Sequence, residues 1–365
     1  MTVLPPVPLE PLNLLPDDIL TARIQAAKSR LGERCLILGH HYQREEVYRF
    51  ADLTGDSLKL ARLASQRTAA RFIVFCGVHF MAEVADILST PEQAVILPDW
   101  AAGCSMADMA DLPSVERAWR ELSTFLDCEQ KITPLTYVNS TADLKAFCGE
   151  HGGTVCTSSN AEKILQWAFA RREKVLFFPD QHLGRNTGHR LGIPLAEMAL
   201  WQPGLPNGGL TAEQIQRARI LLWDGFCSVH TMFQPAHITS FRQRVPGIQV
   251  IVHPECTFEV CQQADYLGST EQIQDRVRAA PSGSKWAIGT ELNLVNRLKK
   301  ELPDQEIHFL CPTICLCATM FRIDLPHLCW VLENLVQDHV VNRIQVPARE
   351  AALARVALER MLNVV

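Results

Sequence analysis

Residues able to do chemistry recur along this chain in a fixed order. GHHYQ (Gly39–Gln43) offers imidazoles and a phenol. Seventeen residues beyond His40 stands Ser57 in TGDSL, twenty further Gly77 in GVHFMAE, and twenty-seven further Cys104 in AAGCSMADM. Late in the chain the series returns. From His253 of HPEC, Thr270 of GST lies seventeen on, Gly289 of IGTE nineteen more, and Cys317 twenty-eight more. A looser middle copy runs through Tyr137 and Asn139, Ser158, Asp180 and Cys227 of GFCSVH. It carries a Gly- and Pro-rich insertion before its cysteine, from about Asn186 to Leu210, expected as a long surface loop. Three copies of polar cluster, hydroxyl turn, third turn and cysteine read as an internal repeat.

One cysteine per copy suggests three thiolates on a metal, either zinc or an iron–sulfur cluster. Structural zinc takes four closed ligands, and a 4Fe–4S cluster ordinarily takes four cysteines. Three would leave one iron open to a substrate as a Lewis acid. A local alternative is the C-x3-C-x-C run of Cys311, Cys315 and Cys317 as a self-contained zinc or cluster site. Cys35, Cys76, Cys128, Cys148 and Cys329 read as buried apolar side chains, and Cys256 and Cys261 as packing residues. Ser57, Ser158, Ser269 and Thr270 fall where helices should begin. There they either hold a phosphate or carboxylate or simply cap the helix. His40, Tyr42, Tyr137, Asn139, His253 and Glu255 follow strand ends and are candidates for proton transfer. His79, His182 and His230 read as structural.

Positioning these groups requires strands. Apolar runs at Cys35–Leu38, Phe72–Phe75, Ala94–Leu97, Val175–Phe178, Ile248–Val252 and Lys285–Ile288 alternate with helical patterns. That alternation implies parallel sheets covered by helices, with ligands beyond the carboxyl ends of the strands. The expectation is an α/β chain of three homologous αβα units with short parallel sheets, arranged with pseudo-threefold symmetry around a central cluster site. The units are expected over residues 1–115, 116–235 and 236–365. A net charge of −5 argues against nucleic acid as the main partner. The most apolar stretch, Phe309–Phe321, is interrupted by Pro312 and too short to span a bilayer. The N-terminal segment carries five prolines and three acids without a basic start, unlike a secretory signal, so a cytoplasmic protein is expected.

Taken together, GHHYQ, TGDSL, GVHFMAE, LPDWAAGCSMADM, YVNSTADLKA, CTSSNA, PDQHLGRN, GFCSVH, VHPEC, GST, IGTE and CATM resemble the quinolinate synthase family. The likeness runs from about Cys35 to Trp330. It implies a transferase that condenses iminoaspartate with dihydroxyacetone phosphate to quinolinate, with loss of phosphate and water, in de novo NAD synthesis. It also implies one oxygen-sensitive 4Fe–4S cluster per chain on Cys104, Cys227 and Cys317, with Cys311 and Cys315 as rivals for the third place. Substrate binding would fall to His40, Ser57, Tyr137, Asn139, Ser158, Ser269 and Thr270. Catalysis would fall to Glu255 as the base at the open iron, with Tyr42 and His253 shuttling protons. The implied partners are the two small-molecule substrates and, by functional coupling, an L-aspartate oxidase, and neither nucleic acid nor membrane; the sequence leaves the assembly open, a homodimer among the options.

Two other readings share parts of this pattern. A 4Fe–4S dehydratase of another substrate class would need no triose phosphate site. An iron–sulfur redox sensor would have no use for the His, Tyr and Glu set.

Overall fold

The computed structural model describes residues 5–66, 69–313 and 316–364, so Cys315 lies outside the described residues. The chain gathers into two compact units, Met1–Cys104 with Leu316–Val346, and Ser105–Cys315 with Pro347–Val365.

The first unit is built on strands β1 (Cys35–His40), β2 (Leu53–Gly55), β3 (Phe72–Cys76) and β4 (Ala94–Ile96). They run parallel in the order β2-β1-β3-β4, and a short antiparallel strand, Arg343–Ile344, pairs along β4. Every residue of β1 and β3 is buried. A continuous apolar run is what a parallel strand covered on both faces requires. The Asp17–Leu31 helix opens on two acids and closes on Lys28 and Arg30, complementing its dipole. It packs on the Leu325–Val336 helix, where Arg23 holds Glu333 through two bonds of 2.7 and 2.6 Å.

The second unit holds two sheets. Strands β5 (Ile132–Tyr137), β6 (Thr154–Cys156), β7 (Lys174–Phe178), β8 (Met198–Trp201) and β9 (Ile220–Trp223) stand in the order β6-β5-β7-β9-β8. Strands β10 (Gln249–Val252), β11 (Tyr266–Leu267), β12 (Lys285–Gly289) and β13 (Glu306–Phe309) stand in the order β11-β10-β12-β13. All of these pairings are parallel. The C-terminal Ala348–Asn363 helix lies against the Ala142–Glu150 helix. Their contact is close because Gly149 has no side chain: a Cβ there would sit 2.0 Å from the Leu353 carbonyl oxygen.

With β8 set aside as an addition, the three sheets share one order: second strand, first, third, fourth. The repeat in the sequence is therefore a repeat in topology, and each chemical step follows the carboxyl end of the corresponding strand. His40, Tyr137 and His253 stand at or just after the first strand. Ser57, Ser158 and Thr270 follow the second, and Gly77, Asp180 and Gly289 mark the end of the third. Cys104, Cys227 and Cys317 follow the fourth. The likeness reaches individual bonds. Asp52 takes the Ile37 N–H at 2.8 Å and Asp265 takes the Val250 N–H at 2.7 Å, each tying the start of the second strand to the first.

One expectation is corrected. The stretch from Asn186 to Leu210 is not a surface loop throughout. It begins inside the Gln181–Arg190 helix and contributes β8, which pairs in parallel with β9 and buries Trp201. Among the described residues, no helix is long and apolar enough to cross a membrane.

Candidate active site

In the second unit, three strand ends bring Tyr137, Cys227 and the His253–Glu255 turn together. The turn closes with the Cys256 N–H on the His253 carbonyl at 3.0 Å, and His253 Nδ1 accepts the Glu255 N–H at 3.3 Å. The first unit forms the same turn after β1. There the Gln43 N–H reaches the His40 carbonyl at 2.9 Å, and His40 Nδ1 accepts the Tyr42 N–H at 3.2 Å. Each imidazole is thus oriented by the backbone two residues on.

Glu255 is 3% exposed and held from two sides. The Tyr137 hydroxyl donates to Oε1 at 2.6 Å, and His230 Nδ1 lies 2.8 Å from Oε2. Burial pushes the carboxyl up, but the electrostatic pull of His230 and His253 and the bonds from His230 and Tyr137 outweigh it, holding Glu255 down at about 2. It is an anion and can only accept, so His230 Nδ1 carries the proton that faces it. Burial lowers His253 to about 3, against the pull of Glu255. A neutral His253 whose Nδ1 accepts a backbone N–H carries its proton on Nε2. The two imidazoles stack at 4.6 Å between centroids, and His230 Nε2 reaches the Thr290 hydroxyl at 3.3 Å. Asp180, fully buried, caps the Gln181–Arg190 helix by accepting the Leu183 N–H at 2.7 Å. Burial and the nearby Glu255 charge push its carboxyl well up, against the backbone N–H groups that it accepts.

Cys227 stands at the N-terminal cap position of the Ser228–Thr231 turn of helix, which carries His230. Ligand atoms of Cys227, His230 and Glu255 all lie within 4.8 Å of one another, an arrangement able to hold a metal. Of the twelve described cysteines nine are buried, and the three that are not are Cys104, Cys227 and Cys317. Burial pushes the thiols of Cys35 and Cys329 up to about 12 and raises those of Cys76, Cys148, Cys156, Cys256 and Cys261 as well. Such thiols stay protonated and make poor ligands. Cys311 belongs to the apolar core around Phe233 and Val250.

The other predicted residues divide between the units. In the first, His40 and Tyr42 meet edge-on at 5.0 Å. Gln43 donates to the Met320 carbonyl at 3.2 Å, tying this turn to the Cys317 segment, and Arg44 lies over the Phe321 ring at 3.6 Å. Ser57 is buried in the first turn of the Ser57–Ser65 helix. In the second, Asn139 is half-buried just after β5. Ser269 forms a capping box with Gln272, the plainer of its two readings, and Thr270 is buried beside it. Ser158 lines a cleft together with Asn186 and Pro254.

The structural reading of His230 from sequence does not anticipate its place beside Glu255. The available signal was its place three residues after Cys227, a spacing that sets both on one face of a helical turn.

The family model of the quinolinate synthetase A protein matches residues 22–363. The quinolinate synthase of Rhodopirellula baltica is 55% identical over 368 residues, covering 98% of this chain and 94% of its own. That of Streptomyces coelicolor is 56% identical over 349 residues, covering 95% and 88%. That of Herpetosiphon aurantiacus is 57% identical over 347 residues, covering 94% and 92%. With the repeated strand order and the Tyr137, Cys227 and Glu255 grouping already in place, a match of this length and identity settles the family: this chain belongs to the quinolinate synthetase A proteins.

Proposed function

We propose that this enzyme condenses iminoaspartate with dihydroxyacetone phosphate to quinolinate, with loss of phosphate and water. The observation that carries the proposal is the buried Glu255 anion, held by Tyr137 and His230 beside Cys227. Its relatives bear the name of that activity.

The donor set fits a cluster on three cysteines. Cys104, Cys227 and Cys317 occupy equivalent positions after the fourth strand of each sheet and are the described cysteines that escape burial. Bound there, a 4Fe–4S cluster would supply Lewis-acid character at an iron with no protein ligand.

The chain's own residues do the rest. Two small anions must be held in register, and orientation alone lowers the barrier substantially. Ser57, Asn139, Ser158 and Thr270, with the backbone N–H groups beside them, offer donors to carboxylate and phosphate. Glu255 is ionised and therefore ready to take a proton. The Tyr137 hydroxyl and His230 Nδ1 flank its two oxygens and fix its orientation. His253 presents Nε2–H as a donor, because its Nδ1 is taken by the Glu255 N–H. Tyr42, held on the matching turn of the first unit, supplies a second phenol for interconverting carbonyl, enol and imine forms.

Anaerobic assays of Glu255→Gln and Tyr42→Phe test the roles, each expected to lower quinolinate formation by roughly a hundredfold or more. Near-normal turnover in both overturns them. Iron and sulfide analysis tests the ligands. Cys104→Ser, Cys227→Ser and Cys317→Ser should lose the cluster, and Cys315→Ser should keep it. The reverse result for the last two makes Cys315 the third ligand.

A further inference from the structure

The turn that carries Glu255 is held from behind by one side chain, Asn186 of the Gln181–Arg190 helix. β10 ends at Val252, and Pro254 and Cys256 lie beyond it, both buried. Buried carbonyls need donors. Asn186 Nδ2 donates to the Pro254 carbonyl and to the Cys256 carbonyl, at 2.9 Å each. It also meets Cys261 Sγ at 3.2 Å, and the Cys261 thiol, a weaker donor, reaches the Cys256 carbonyl at 3.5 Å. The two carbonyls belong to the residues on either side of Glu255. A planar amide carries its two N–H bonds at a fixed angle, so holding both carbonyls fixes the backbone before and after Glu255, and with it the direction in which that side chain leaves the chain.

The helix that carries Asn186 is itself seated firmly. Gly184 and Gly188 share the face that lies on β7 and β9. A Cβ at Gly184 would come 2.6 Å from Leu222 and 2.8 Å from Phe177, and one at Gly188 would come 2.6 Å from Ile220. Asn186 stands two residues from each, roughly 200° around the helix, and so faces away from that sheet. It is 1% exposed, and its Oδ1 is buried without a partner among the described residues. An unpaired buried acceptor is costly, so what the amide contributes here is its two donors. The carboxylate it aims has close neighbours, Tyr137 at 2.6 Å and His230 at 2.8 Å. A shift of about 1 Å in such a group can cost about a hundredfold in rate. We infer that Asn186 is a positioning residue that acts through the turn to aim Glu255, an inference that rests on Glu255 acting as the base.

The test uses the full-length protein purified anaerobically with its cluster. Asn186→Ala, a substitution that suits a helix, should lower kcat for quinolinate formation by about tenfold or more, with KM within about twofold of the parent and full iron and sulfide. Asn186→Ser, which keeps one donor, should lose less, and it stands in if Asn186→Ala does not fold. Beside Glu255→Gln, where no base is left to aim, Asn186→Ala should lower kcat by no more than about twofold. A second cycle needs no turnover. Tyr137→Phe should lower the urea midpoint of the parent, and should lower that of Asn186→Ala by roughly half as much or less, because a displaced Glu255 no longer meets the phenol. The inference is overturned if Asn186→Ala keeps the parental kcat, or if its loss is as large beside Glu255→Gln. It is also overturned if Tyr137→Phe shifts the midpoint equally in both backgrounds. Failure of the base assignment looks different: Glu255→Gln would then form quinolinate at the parental rate, and the Tyr137 cycle alone would decide the case for Asn186.

Discussion

The Tyr137 hydroxyl donates to Glu255 Oε1 at 2.6 Å, joining the end of β5 to the turn after β10 inside a fully buried site. A hydrogen bond to a charged acceptor contributes about 1.5–3 kcal/mol. Tyr137→Phe keeps the ring and removes only the donor, so it should destabilise the protein by about that amount in urea unfolding. It should also slow quinolinate formation without reducing iron content. A variant as stable as the parent would show that Glu255 finds another donor.

His230 and Glu255 form the other half of this arrangement, at 2.8 Å and both nearly inaccessible to water. Removing one partner of such a pair strands the other as a buried charge, at a cost of about 3–5 kcal/mol. His230→Ala should show that loss in equilibrium unfolding. His230→Ala combined with Glu255→Gln should recover much of it, because a neutral amide carries no charge to strand. Additive losses in the double variant would mean that the pair is not coupled.

How much of this could be read in the chain depends on what each residue shows by itself. β1 and β3 are buried throughout, so their apolar runs are uninterrupted and visible. β8 is MALW in a Gly- and Pro-rich stretch, with its first three residues half-buried at the sheet edge, and periodicity does not reveal such a strand. The place of Cys104, Cys227 and Cys317 after each fourth strand is legible because the repeat sets one cysteine there. His230 is not, because its meaning lies in Glu255, which reaches it from the end of another strand. Ser269 fits both an anion site and a helix cap by sequence, and only its bond with Gln272 shows the capping role.

His182 gives the protein a pH dependence with a definite sign. Burial, aided by the Arg185 charge, lowers it to about 4. The unfolded chain takes up the proton at about pH 6.5, where the folded chain does not. Its contribution to stability is therefore complete above about pH 6.5 and is lost as pH falls toward about 4, by roughly 3 kcal/mol in all. His253 acts in the same direction. Urea unfolding of the parent and of His182→Gln at about pH 7.5 and about pH 5 separates the two. The variant should lose about 2 kcal/mol less than the parent between these conditions. Equal losses would show that His182 is protonated in the folded state.

Gly225 tests whether the backbone places Cys227. A Cβ at Gly225 would lie 2.4 Å from the Pro179 carbonyl oxygen, a backbone atom that cannot swing aside, and 3.2 Å from Met109 Cβ. Gly225 also pairs with Asp180, and its carbonyl accepts the Gln181 N–H at 2.9 Å. Gly225→Ala must therefore move the strand end that leads into Cys227, with an overpacking cost of about 1–3 kcal/mol. Gly204 is the control, since a Cβ there meets nothing within 4 Å. Gly225→Ala should keep its circular dichroism while losing iron and sulfide, and Gly204→Ala should keep both. Full iron content in Gly225→Ala would show that a fixed backbone at Gly225 is not what places Cys227.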